Sequence, residues 1–206
     1  MSSASSDVSA RPLHDRSLWL CFAVTMVAVG NVSGVSPAFP QMVEVFDISR
    51  VQVGWLVTAY SLPGIASAPV IGVLADRWGT KRVLVPTILV FSAAGTACAL
   101  ARDFELLLAL RVVQGMAAAP LVGLSITIIG TLYDGPTRHQ LIGYNSTALS
   151  VGTAVYPLLG GALAAVAWYW PFAMPLLATP VALAVAVGMK DPEAAAPMDW
   201  AAYRAA

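Results

Sequence analysis

The chain has 206 residues, of which 58% are hydrophobic and only 11% charged, with a mean hydropathy of +0.76. Eleven Lys and Arg balance eleven Asp and Glu, so no net charge draws nucleic acid to it. Soluble domains carry about 25% charged residues; an ordinary water-soluble enzyme, a disordered tail and a secreted disulfide scaffold are excluded, and an integral membrane protein is left.

Residues 1–16 form a polar tail of mixed charge. Crossing the hydrocarbon takes roughly 20 apolar residues in a helix. Ser17 to Val43 holds no Asp, Glu, Lys or Arg, which predicts a first span over about 17–39. It is too long for a signal-peptide core and lacks a clear cleavage site, so it reads as an uncleaved first helix. A second uncharged run predicts a span over about 52–75, and a third over about 83–101. Cys21 and Cys98 sit inside apolar runs and read as packing residues, not as a bridge or metal site. The fourth span, about 105–132, is interrupted only by Arg111. From His139 to Met189 there are 51 residues with no formally charged side chain except the histidine. As one helix that run would be about 75 Å long, more than twice the hydrocarbon thickness. It must fold back, and Ala167-Trp168-Tyr169-Trp170-Pro171 supplies the turn, giving spans of about 140–166 and 169–189. Residues 190–206 form a second tail. The runs are continuously apolar and too long for the alternating strands of a barrel, so the spans are helices.

Six spans put both termini on one side. That side carries Arg11, Arg16, Arg77, Lys81, Arg82, Arg138, Lys190 and Arg204; the other carries Arg50 and Arg102. Eight against two predicts cytoplasmic termini in a multi-pass protein of the cell membrane.

Chemistry inside the membrane is sparse. Small residues recur at Gly30/Gly34, Pro63-Gly64, Gly115 to Pro120 and Gly152 to Gly161, as helices packed closely in lipid require. Arg111 is the one charge deep in a span, about 9 Å beyond Glu105 along the helix. A buried arginine is costly and faces a bundle interior or a wet cavity. It reads either as a structural group bonded to carbonyls and to Gln114 one turn on, or as a charge in a substrate or proton pathway. No carboxylate lies at its depth, since Glu44, Asp47, Asp103 and Glu105 fall at the outer loops. Asn31, Tyr60, Gln114, Tyr144, Asn145 and Tyr156 are the other polar groups of the spans, each suited to bridging helices. The loop Gly72 to Arg82 places Asp76 at a helix C-terminus, where the helix dipole disfavours an acid, so Asp76 calls for a cationic partner such as Arg77 or Arg82, or another helix's N-terminus.

These residues together resemble the N-terminal six-helix half of a major facilitator superfamily transporter, most of all its drug:proton antiporter branches. Gly72, Leu74, Asp76, Arg77, Gly79, Lys81 and Leu84 match the superfamily's loop signature between helices two and three, with Thr80 in place of a usual basic residue. Leu107, Arg111, Gln114, Gly115 and Ala117 to Ala119 resemble the helix-four signature. Gly152, Pro157, Gly160 and Gly161 resemble the helix-five antiporter signature, with Tyr156 at a glycine position. Pro37-Ala38-Phe39-Pro40 resembles the motif closing helix one in efflux members. The resemblance implies an all-α membrane fold of two inverted three-helix repeats. It also implies a cytoplasmic latch at Gly72, Asp76, Arg77, Gly79, Lys81 and Arg82 that meets helix eleven of a second half. Arg111, with Gln114, is implied in proton coupling. Within the helix-five motif of Gly152, Tyr156, Pro157, Gly160 and Gly161, the region of Pro157, Gly160 and Gly161 is implied to bend the helix at the interface with the second half. Asn31, Tyr60, Arg111 and Asn145 are implied in a cavity lined by helices one, two, four and five.

The resemblance covers one half of a two-half transporter. Pro197-Met198-Asp199-Trp200 resembles the approach to a seventh helix. The expectation is a truncated transporter, a half that pairs with its own copy, or a half that needs a separate partner. The expected activity is proton-coupled export of a small organic or drug-like compound, with lipid, proton and a second six-helix half as partners and no cofactor, metal or nucleic acid. Uptake, and a non-transporting membrane protein that binds a full-length relative, are the alternatives. An enzyme is disfavoured, because no nucleophile set, metal-ligand spacing or phosphate loop is present and His14 and His139 stand far apart.

Overall fold

A computed structural model describes residues 15–189; Arg11, His14, Lys190, Pro197 to Trp200 and Arg204 lie outside the described residues. Regular structure in the described residues is helical throughout: α1 (Arg16–Val35), a short 3₁₀ turn (Ser36–Ala38), α2 (Phe39–Val45), α3 (Arg50–Trp78), α4 (Thr80–Cys98), α5 (Phe104–Leu132), α6 (Gly135–Ala164), a 3₁₀ segment (Trp170–Leu177) and α7 (Ala178–Gly188). They make six segments long and apolar enough to cross a membrane, α1 with α2 forming the first and the 3₁₀ segment with α7 the sixth.

Local chemistry sets the ends. The Asp15 carboxylate accepts from the Ser17 amide at 2.9 Å, and the Asp103 carboxylate from the Leu106 amide at 2.7 Å. Ser49 and Gln52 form a reciprocal capping box at the start of α3. Gly79 separates α3 from α4 with φ of +95°, a backbone conformation that side chains with a Cβ avoid. This turn lets α4 begin at Thr80, so the basic Lys81 and Arg82 belong to its first turn. The sixth span opens as 3₁₀ because Pro171 and Pro175 remove backbone donors that an α-helix would use.

The packing repeats itself. The most extensive contact is α3 on α5, and α1 packs extensively on α6. The two pairs are related as spans two and four are to spans five and one, the relation expected of inverted three-helix repeats. In one pair, a Cβ added at Gly64 would lie 2.8 Å from the Gly115 carbonyl, and one at Gly115 would strike the Tyr60 backbone. In the other, a Cβ at Gly160 would strike the Gly34 carbonyl, and one at Gly34 would sit 3.5 Å from the Tyr156 carbonyl. Close backbone approach at these glycines is what lets helices cohere in lipid, where apolar burial gives little drive.

The interior is unevenly shared. In its most apolar window α5 buries 56% of its residues, but α3 only 22% and α6 only 17%. The uncovered faces are apolar, with Leu62, Ile65 and Val70 on α3 and Val151, Leu158 and Leu159 on α6.

A candidate cavity on four helices

Arg111 projects from α5 into the bundle and is 3% exposed. Its Nη1 donates to the Asn31 amide oxygen on α1, and to the Gln114 amide oxygen at 3.1 Å. Aromatic rings flank the guanidinium: Tyr60 on α3 at 5.5 Å and Phe172 of the sixth span at 4.6 Å. Cation–π contact and two amide acceptors therefore replace a counter-carboxylate. Arg111 Nε and Gln114 Nε2 have no hydrogen-bond partner among the described residues. Gln114 fits because Gly95 on α4 has no Cβ to meet its amide.

Beside this cluster an open groove of about 430 Å³ runs between α1, α3, α5 and α6. Its floor is Ala28 and Val32 of α1 with Gly115 and Ala118 of α5, and Ser61 and Thr153 flank it. No charged side chain lines it. Tyr60 belongs both to the groove and to the arginine cluster, and so separates them.

The other residues singled out in the sequence sort differently. Asn31 is turned inward onto Arg111 and is 2% exposed. Asn145 is 1% exposed and accepts at 2.8 Å from the Thr25 hydroxyl, tying α6 to α1. Neither faces the groove. Tyr144 is exposed and its hydroxyl accepts from the Gln140 amide at 2.9 Å. Tyr156 lays its ring over Gly30, and also within 3.5 Å of where a Gly152 Cβ would be. Pro157 lies inside an uninterrupted α6, and Gly161 would meet Pro37 at 3.8 Å.

In the loop signature between α3 and α4, Asp76, Arg77 and Arg82 are exposed, and Gly72 is in open space. Asp76 has no partner among the described residues, so Arg77 and Arg82 do not supply the cation it calls for. Lys81 instead reaches across the bundle and donates to the Met189 carbonyl at 2.8 Å, at the C-terminus of the sixth span. A cation is favoured there by the helix dipole. On the same end Tyr133 is buried after α5, and burial, reinforced by the nearby Asp15 carboxylate, pushes its phenol above the usual range.

Sequence reasoning missed three participants. Phe172 and Thr25 lie in apolar runs with nothing to mark them. Phe39 sits in a recognised proline motif, but its position between two cavities has no sequence signal.

Comparison with known proteins agrees with this fold. Residues 20–201 match the Major Facilitator Superfamily. The chain is 31% identical over 154 residues to the bacillibactin exporter of Bacillus subtilis, covering 71% of this chain and 38% of that protein. It is 32% identical over 174 residues to the multidrug resistance protein B homolog of Mycobacterium tuberculosis, covering 84% and 32%. Among solved structures, the human organic anion transporter MFSD10 superposes with a TM-score of 0.73 at 20% identity, covering 86% of this chain and 48% of that one. A bacterial homolog of the human lysosomal transporter Spinster, in an inward-facing and occupied conformation, gives 0.69 at 20% identity, covering 85% and 44%. The chain thus spans less than half the length of these two curated relatives.

Proposed function

The chain belongs to the major facilitator superfamily, and on that premise we propose that it forms one wall of a proton-coupled exporter of small organic compounds in the cell membrane. The observation that carries this reading is the groove of about 430 Å³ built by α1, α3, α5 and α6 and left open between two apolar, uncovered helices. A second six-span half closes it, supplied by a longer chain, by a second copy or by a separate protein. Names of relatives as efflux pumps and exporters support export over uptake. The basic end, with Arg77, Lys81, Arg82 and Arg138, faces the cytoplasm together with both termini.

In this mechanism α3 and α6 are the surfaces that slide against the second half, and Asp76, free of partners among the described residues, is available to latch onto it. Arg111 supplies the fixed positive charge. Its tie to Asn31 and Gln114 holds it between α1 and α5, so a proton or substrate group that displaces either amide changes how those helices meet. The coupling carboxylate comes from the second half, because none accompanies Arg111 in the described residues.

The test is reconstitution in lipid vesicles carrying an internal pH dye, with a panel of cationic, zwitterionic and anionic fluorescent compounds. Compound-dependent proton movement is expected. It should vanish in Asp76→Ala and in Arg111→Ala, and should rise with the square of protein density if two copies pair. Unchanged flux in both variants removes the mechanism. Flux linear in density from cross-link-negative monomers removes the paired halves. Absence of flux with co-purification of a full-length relative supports the non-transporting alternative.

A further inference from the structure

Three voids lie in sequence along the seam between the first span and α3. The groove takes Val32 from α1 and Tyr60 with Ser61 from α3. One step along, a void of about 10 Å³ is bounded by Val32, Val35, Phe39, Leu56, Tyr60 and Arg111. At the end of the seam a pocket of about 450 Å³ is lined by Phe39, Pro40, Val43, Glu44, Arg50 and Val53. Numbering rises on the first span and falls on α3 as one moves this way, as it must for antiparallel neighbours. Val32 and Tyr60 belong to the first two voids, and Phe39 to the last two. The middle void is large enough for about one water, and it places the Arg111 guanidinium at the narrowest point.

The end pocket has its own chemistry. Its volume is that of a small-molecule site. The floor is aromatic and aliphatic, and its rim carries one acid and one base. Glu44 and Arg50 are exposed, and neither has an ion-pair or hydrogen-bond partner among the described residues. Opposite charges close in sequence and both left unpaired present separate contacts for a ligand that brings both signs itself.

We propose that this pocket is a second solute site, filled by an amphipathic zwitterion with a flat apolar body, an ammonium group toward Glu44 and a carboxylate toward Arg50. The solute reaches it along the seam from the groove, past Arg111, with Tyr60 and Phe39 as the side chains that close the passage at either end of the middle void. The solute's carboxylate is met by one guanidinium in transit and by another at the pocket. The path rests on the transporter reading above; the charge preference of the pocket does not.

A matched set of probes tests it: tryptophan, tryptamine and indole-3-propionate share one ring system and carry both charges, only the positive, or only the negative. Binding is measured by competition against radiolabelled tryptophan with the full chain in lipid nanodiscs. Tryptophan is expected to bind about tenfold more tightly than either analogue. Glu44→Gln should erase its advantage over indole-3-propionate, and Arg50→Gln its advantage over tryptamine. Both side chains are exposed, and an unchanged melting temperature confirms that each variant folds. Phe39→Ala should speed tryptophan release several-fold with its charge preference kept. Equal binding of the three probes, or a preference that survives both charge variants, overturns the site. Loss of tryptophan binding when phosphatidylglycerol discs are replaced by phosphatidylethanolamine discs gives the pocket to a lipid headgroup and also overturns it. Preferential binding without vesicle transport would remove the transport reading and keep the site; transport indifferent to Glu44→Gln and Arg50→Gln would keep the transport reading and overturn the path through the pocket.

Discussion

The two crossings, α3 on α5 and α1 on α6, are built to one plan and diverge at one position. On α3 and α6 a tyrosine precedes the contact glycine by four residues: Tyr60 before Gly64, and Tyr156 before Gly160. On α5 and α1 the residue four before the contact glycine differs: Arg111 before Gly115, but Gly30 before Gly34. Each tyrosine leans on that variable position, Tyr60 at 5.5 Å from the guanidinium and Tyr156 directly on Gly30. Where one crossing has charge and aromatic face, the other has an empty backbone filled by the ring. Tyr156, which departs from the helix-five signature, therefore sits in a slot that Gly30 provides. A single fold with two equivalent crossings thus buries a charge at one and fills the other with a ring.

The largest effect should come from closing the crossings themselves. Gly115→Leu or Gly160→Leu drives a side chain into a facing backbone that cannot retreat. Each should lower stability by about 3 kcal/mol or more, read as loss of a cooperative thermal transition in detergent. Equal damage from the two would confirm that the crossings bear equally on the fold; damage from one alone would break their equivalence.

Removing the charge should separate the crossings. Arg111→Ala leaves the Asn31 and Gln114 amides buried without their donor and is expected to cost about 2 kcal/mol as well as abolishing vesicle transport. Tyr156→Ala opens space over Gly30 and should destabilise to a similar degree, but leave the arginine cluster and any residual transport intact. Parallel melting curves and flux measurements decide this. Loss of transport in both would show that the α1–α6 crossing is also part of the chemistry.

Smaller effects sharpen the same contrast. Asn145→Ala breaks one interhelical hydrogen bond to Thr25 and should cost about 0.6 kcal/mol, typical for such bonds in membranes. At the end of α5, the Tyr133 phenol is held above its usual range, so its neutral form is favoured in the fold. Its contribution is complete below the ordinary tyrosine value of about 10 and is lost as pH rises through the elevated folded value. Tyr133→Phe should flatten the alkaline fall in melting temperature and change nothing at neutral pH.

Much of this was legible in the residues. The turn at Trp168 to Pro171, the arginine's burial and its bond to Gln114 follow from charge, length and helical spacing. Asn31 and Asn145 read as polar groups suited to bridging helices, and they do bond across to Arg111 and Thr25, while neither lines the groove that the resemblance implies for them. Asp76 was marked as wanting a cation, but Lys81, not Asp76, makes the contact across that end of the bundle. Nothing in the sequence joined Glu44 to Arg50 and Phe39 in one pocket.

The amino acids alone fixed six crossings and a membrane fold, because lipid does not solvate charge or bare backbone and so every span must be a long helix almost free of charge. They did not fix which side of each helix meets which neighbour. In water an apolar stripe marks the inward face, but in lipid both faces of a span are apolar and that mark is erased. The three-dimensional packing supplied it: glycines that admit a facing backbone, a tyrosine that fills one gap, and an arginine that fills the other.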